Sequence, residues 1–159
     1  MLNFHEWLNE GVKIIHIDPE EDWMYANTAH EIADMVNIRP GRDKEPTIVA
    51  INDQDEVVGA AFTSWHDDEE ETQMQGRPIA QWTFDVVVHP KWQGHKLIGI
   101  QLIQQAEQER KNLEGMYGQD AYTRLWVVNP KLAQLLQKPK FGYEPESEYS
   151  DGSAHLRKY

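Results

Sequence analysis

The stretch that most constrains this chain is "DVVVHPKWQGHKLIGIQLIQQAEQE", Asp85 to Glu109. A run of valines stops at a proline, passes a Gln-Gly turn and enters a helix-patterned segment with no acidic residue until Glu107. Valine favours the pleated, half-buried surface of a sheet. Proline cannot donate to a strand ladder, and glycine permits a tight turn. The pattern therefore predicts a strand feeding a helix through a short turn. Such a turn presents amides without intrahelical acceptors at the positive end of a helix dipole, which suits an anion.

Around this segment the chain alternates in kind. "VKIIHIDPEEDW" predicts a strand that stops at Asp18-Pro19, read as a helix N-cap with proline at the first helical position. Trp23, Ala26, Ala29 or His30, Ala33 and Val36 then recur at the spacing of one buried helix face. "TIVAIND" and "VVGAAFTSWHD" flank Asp53 to Glu56 as a hairpin. The acidic run "HDDEEETQMQGR" reads as a solvated hairpin tip, and "PIAQWTFDVVV" as the third of three antiparallel strands. A helix of about Leu97 to Leu113 follows, then the loop "EGMYGQD", a strand "YTRLWVVN" and a short helix "PKLAQLLQK" opened by Pro130. Two last strands turn about Asp151-Gly152. The expectation is an α/β (α+β) chain, with a mixed, mostly antiparallel sheet of about seven strands and helices on both faces. A single domain over residues 1–159 is expected, because a core of this size buries roughly 68–70% of the unfolded surface.

A net charge of −12 repels nucleic acid and attracts cations. With no cysteine there is no disulfide, thiol nucleophile or Cys-ligated zinc, which suits a reducing cytosol. No run of about 18 uncharged apolar residues occurs, and the start lacks the blocks of a signal peptide. These features predict a cytoplasmic protein without nucleic-acid or membrane partners, monomeric or homodimeric. "HEIAD" at His30 opens like a zinc-protease helix but has Asp34 where the second histidine belongs, so it reads as a helix face and no metal is expected. Trp7, Trp23, Trp65, Trp82, Trp92 and Trp126 read as core, with Trp92 at the rim of a ligand site.

The element order, joined to the local sequence, resembles the GCN5-related N-acetyltransferase (GNAT) superfamily. Val86-Val87-Val88-His89-Pro90-Lys91-Trp92-Gln93-Gly94 is similar to the first nine positions of its signature, with Gln93 where the family has Arg or Gln. "KFGYEPE", Lys140 to Glu146, is similar to the segment after the family's last helix, and "DEVVGAAF", Asp55 to Phe62, to the hairpin between its second and third strands. The resemblance implies a V-shaped split between strands 4 and 5, from Val88 and from the strand Tyr122 to Val128. It implies acetyl-coenzyme A as co-substrate, its pyrophosphate held by the amides of Gln93, Gly94, His95, Lys96, Leu97 and Ile98. Asn129 matches the asparagine that opens the family's last-helix motif and is grouped with this site. Small residues are the family's habit at Lys96 and Ile98. Either one residue is inserted and Gly99 takes the last glycine's role, or the cradle is degenerate.

The implied activity is transfer of an acetyl group to a primary amine by direct attack, the acidic balance favouring a cationic acceptor. An oxyanion would meet a backbone amide of the fourth strand, Val87 or Val88, beside Val86. Asp85 is the nearest carboxylate for a base. The usual tyrosine acid is missing between Leu135 and Lys138; Tyr143 is taken in its place, with Tyr122 the other phenol. The alternatives are a catalytically silent binding or regulatory protein of the same fold, and an acyl donor other than acetyl.

Overall fold

Seven strands, β1 (Val12–His16), β2 (Glu45–Asn52), β3 (Val57–Asp67), β4 (Ile79–Val88), β5 (Asp120–Val127), β6 (Glu144–Glu148) and β7 (Ala154–Lys158), form a sheet ordered β1-β2-β3-β4-β5-β7-β6. The structure is a computed structural model and describes residues 11–94 and 97–159. Pairs β1–β2, β2–β3, β5–β7 and β6–β7 are antiparallel. β4 and β5 run parallel, with Ile79–Thr83 against Asp120–Arg124. The described helices are α1 (Trp23–Met35), α2 (Glu69–Gln75), α3 (Ile98–Tyr117) and α4 (Pro130–Leu136), with a 3-10 turn at Pro90–Trp92. The mixed seven-stranded α/β architecture is the one expected. No described helix is long and apolar enough to cross a membrane.

The chain divides into two compact units, one of residues up to Thr63 with Asp85–Glu109, the other of Ser64–Phe84 with Arg110–Tyr159. In the first, Ala26, Ala29, Ile32 and Ala33 of α1 share a core with Val49, Ile51, Ala60, Phe62 and Val87. Three alanines let the helix lie close to the strands. A Cβ on Gly59 would stand 3.3 Å from Ile98 Cγ2 and 3.1 Å from Leu102 Cδ1, so the opening turns of α3 rest against β3 where β3 has no side chain.

In the second unit the buried Arg110 donates to the carbonyls of Ala121 and Lys158 at 3.0 and 3.1 Å. Arg157 bonds Glu146 and reaches Glu71 at 3.3 Å. α4 packs on β5 and β7.

Four local expectations are corrected. Helix α1 begins at Trp23, four residues beyond Pro19. The Asp18 carboxylate instead accepts the N–H groups of Glu20 and Glu21, while Asp22 accepts that of Asp18, so these acids close a turn of their own. Trp23 is 58% exposed, and Ile32 supplies the large side chain of the buried face. The acidic run is not a bare hairpin tip: Asp68 accepts the Glu71 N–H and caps α2, whose first turn holds Glu69, Glu70 and Glu71, favourably placed against the dipole. Helix α3 continues past Leu113 to Tyr117 and stops before Gly118. Of the tryptophans expected in the core, Trp82 is buried but Trp126 is exposed, and Trp7 lies outside the described residues.

Candidate functional site

β4 hands the chain to the turn in stages. Its alternation of buried positions passes through Trp82 and Phe84, slips at Asp85-Val86, and resumes at Val87. Val87 enters the α1 core. Val88 comes within 3.8 Å of where a Cβ would stand on Gly99. The His89 N–H donates to the Val58 carbonyl at 2.8 Å, fixing the end of β4 to β3. Pro90 opens the 3-10 turn, in which His89 Nδ1 accepts the Lys91 N–H at 3.1 Å and the Gln93 side chain donates back to the Val88 carbonyl at 3.2 Å. Gly94 then adopts φ 80°, a left-handed conformation that glycine takes without cost. His95 and Lys96, both named in the sequence reading, lie outside the described residues.

Beyond them Leu97, also left-handed at φ 56°, accepts the Gln101 N–H at 2.9 Å and closes the first turn of α3. A leucine side chain offers no capping acceptor. The amides of Ile98, Gly99 and Ile100 therefore lack both an intrahelical partner and a cap from Leu97. No acidic residue occupies this first turn, so the positive end of a 20-residue helix is uncompensated there. Ile98 is only 2% exposed, its Cγ2 turned to Gly59, so its bulk lies in the core. A Cβ on Gly94 would meet nothing within 4 Å. Among the described residues nothing caps these amides.

The other candidates are placed as follows. Asp85 receives Lys44 Nζ at 2.9 Å, both side chains about four-fifths covered. In the second unit, the Asn129 carboxamide oxygen caps α4 by accepting the N–H groups of Lys131 and Leu132 at 2.9 and 3.2 Å. Tyr143 is 3% exposed, with Lys158 Nζ 5.4 Å from its ring centroid. The Tyr122 hydroxyl donates to Asp68 at 2.5 Å under the Arg157 guanidinium, 4.5 Å from the ring. Burial, then the Asp68 bond, pushes the Tyr122 phenol well above its ordinary range. The same bond, first among several contacts, holds the Asp68 carboxyl below its own. Asp85, Val86, Val87, Val88, Gln93, Gly94, Leu97, Ile98 and Gly99 thus follow one another along a single strand–turn–helix, while Asn129 and Tyr143 belong to the other unit.

No family model and no curated protein matches the sequence. Solved structures do match. The NatC complex bound to Gag peptide and CoA superposes with a TM-score of 0.65 at 10% identity, over 93% of this chain and 98% of that one. Arabidopsis thaliana NAA60 in complex with acetyl-CoA gives 0.58 at 11% identity, over 93% and 97%. An acetyltransferase of the GNAT family from Listeria monocytogenes gives 0.55 at 12% identity, over 92% and 94%. The chain has the fold of the GCN5-related N-acetyltransferases.

Within this GNAT fold, two residues matter that sequence reasoning did not single out. Gly59 lies inside "DEVVGAAF", and an isolated glycine in a strand pattern is a sign of close approach. It makes room for Ile98. Lys44 stands 41 residues from its partner Asp85, and no local pattern announces that pairing.

Proposed function

We propose that the turn from Gln93 into α3 holds the pyrophosphate of acetyl-coenzyme A and that the protein transfers the acetyl group to a primary amine. The observation that carries this reading is the opening of α3: amides that no described residue caps, no acidic residue in the first turn, open space at Gly94, and the Ile98 side chain withdrawn into the core. A phosphate must approach such a backbone closely, and these residues allow it. The reading is supported by structural neighbours bound to CoA and to acetyl-CoA. Gly99 then serves as the small residue of the first turn, which favours the inserted-residue reading of the loop over the degenerate one.

Bound there, the thioester would supply an acyl carbon open to attack by a neutral amine. A lysine-like amine ionises with a pKa of about 10.4, so a proton must be removed. Asp85 is the carboxylate assigned to that proton. Lys44 takes one of roughly four lone-pair sites on it and leaves others for the amine or an intervening water. The Val87 or Val88 amide is assigned to the developing oxyanion, and the departing thiolate takes its proton from solvent. A second reading, a coenzyme A-binding protein without transfer, is favoured by the Lys44 pairing and by the burial of Tyr143.

Coenzyme A at about 100 times its dissociation constant should stabilise the folded protein by about 2.7 kcal/mol. For a chain near this size that corresponds to a rise in Tm of roughly 5–11 °C. Gly99→Glu puts a carboxylate where the helix dipole tolerates it and a phosphate does not, so the variant should keep its own Tm and lose the coenzyme A shift. No shift with millimolar coenzyme A or acetyl-coenzyme A refutes the cradle. A shift without acetyl transfer to any amine of a broad panel selects the silent binding protein.

A further inference from the structure

Along the opening of α1 runs a groove of about 600 Å³ that the sequence reading did not anticipate. Its apolar side is made by Trp23, Met24 and Met35, which are 58%, 67% and 54% exposed on a helix whose other face is core. Glu21, Glu31 and Asp55 stand among its acidic residues, and among the described residues no lysine or arginine lines it. Asp55 is held in place by the Tyr25 hydroxyl at 2.5 Å, in a left-handed conformation at φ 61°. His89, the residue from which the chain leaves β4, also lines the groove.

We propose that this groove binds an organic cation, a primary ammonium carried on a small aromatic or apolar body, as a free small molecule. The volume matches that of sites for such ligands. The apolar wall takes the body, and the indole of Trp23 and the phenol of Tyr25 offer faces to a cation. The carboxylates supply the opposite charge, which also turns anions away. The proposal deepens the acetyltransferase reading by naming the class of its amine acceptor, and rests on that reading only for the transfer step, since His89 joins groove and turn through one residue.

The test is equilibrium binding of phenethylammonium to the protein without coenzyme A, followed by tryptophan fluorescence and calorimetry, with 2-phenylethanol as the neutral counterpart. Saturable binding is expected, with the alcohol about tenfold weaker. Glu31→Gln should weaken ammonium binding about two- to fivefold, the worth of an exposed ion pair, without changing the alcohol. Trp23→Ala should weaken both ligands about fivefold or more, through loss of ring and wall. Both positions are exposed, and Tm reports that the variants remain folded. Equal binding of ammonium and alcohol, no saturable binding, or indifference to both substitutions overturns the proposal. The coenzyme A shift, measured on the same preparation, separates the readings: amine binding lost with the shift intact removes the groove alone, and amine binding kept without a shift removes the cradle alone.

Discussion

Replacing Gly59 with alanine tests the contact on which the turn depends. The added Cβ would lie 3.0 Å from the Val87 carbonyl oxygen, 3.1 Å from Leu102 Cδ1 and 3.3 Å from Ile98 Cγ2. Leucine and isoleucine methyls give way by small rotations, but the Val87 oxygen is backbone in the strand that leads to the turn. Overpacking of this kind costs about 1–3 kcal/mol. Gly59 does not have a positive φ, so alanine also restricts the unfolded chain and returns about 0.4–1 kcal/mol. The net loss is about 0–2.6 kcal/mol, centred near 1.3, or roughly 3–5 °C in Tm. The same displacement moves Ile98, and with it the first amides of α3, so coenzyme A should lose more affinity than the protein loses stability. Ile98→Leu removes the β-branched methyl and should restore part of both, a coupling of about 0.5–1 kcal/mol in a double-mutant cycle. Differential scanning fluorimetry with and without coenzyme A reads all four variants. A Gly59→Ala protein with unchanged Tm and an unchanged coenzyme A shift would show that α3 does not rest on β3 in this way.

Two further substitutions probe chemistry and pH. Asp85→Asn should lower acetyl transfer by about 10²–10⁴-fold while the coenzyme A shift persists; an unaltered rate assigns proton removal to water. Tyr122→Phe should destabilise the protein by about 0.5–1.5 kcal/mol at pH 7. The Asp68 carboxyl sits below its ordinary range in the folded state, first because Tyr122 donates to it, so the stability from this bond is present above the unfolded value near 3.9 and is lost as pH falls through the folded one. Urea titrations should therefore show the gap between the two proteins closing as pH falls below the unfolded carboxyl value of about 3.9, and a gap that persists in strong acid would place the effect in packing instead.

The strand–turn–helix was legible because its signals are local: valines, a proline and a glycine act on their own neighbours. The hairpin at Asp53 to Glu56 and the last one at Asp151-Gly152 were legible for the same reason. What escaped depended on partners far along the chain. A tryptophan at helix spacing looks like core, yet Trp23 is more than half exposed, since Ala26, Ala29 and Ala33 already bring α1 down on the strands. Asp18 had the composition of a cap, but Glu20 and Glu21 amides were nearer than a helix. The acidic run looked like a solvated hairpin tip, although Asp68 gives it a cap and Tyr122 and Arg157 hold its carboxylates from β5 and β7. At the site, the donors could be read from position, while the withdrawal of Ile98 required knowing that Gly59 faces it.

The chain passes between its two compact units within regular elements: between Thr63 and Ser64 inside β3, between Phe84 and Asp85 inside β4, and between Glu109 and Arg110 inside α3. Neither unit is a continuous stretch of polypeptide. No single cleavage or gene truncation can release one of them whole, and any cut made at a crossing severs a strand or helix held by its own ladder of backbone bonds. Exposed loop tips are where proteases and insertions succeed, so nicking should spare all three crossings. Point substitution, rather than excision, is the means of dividing labour between the halves of this protein.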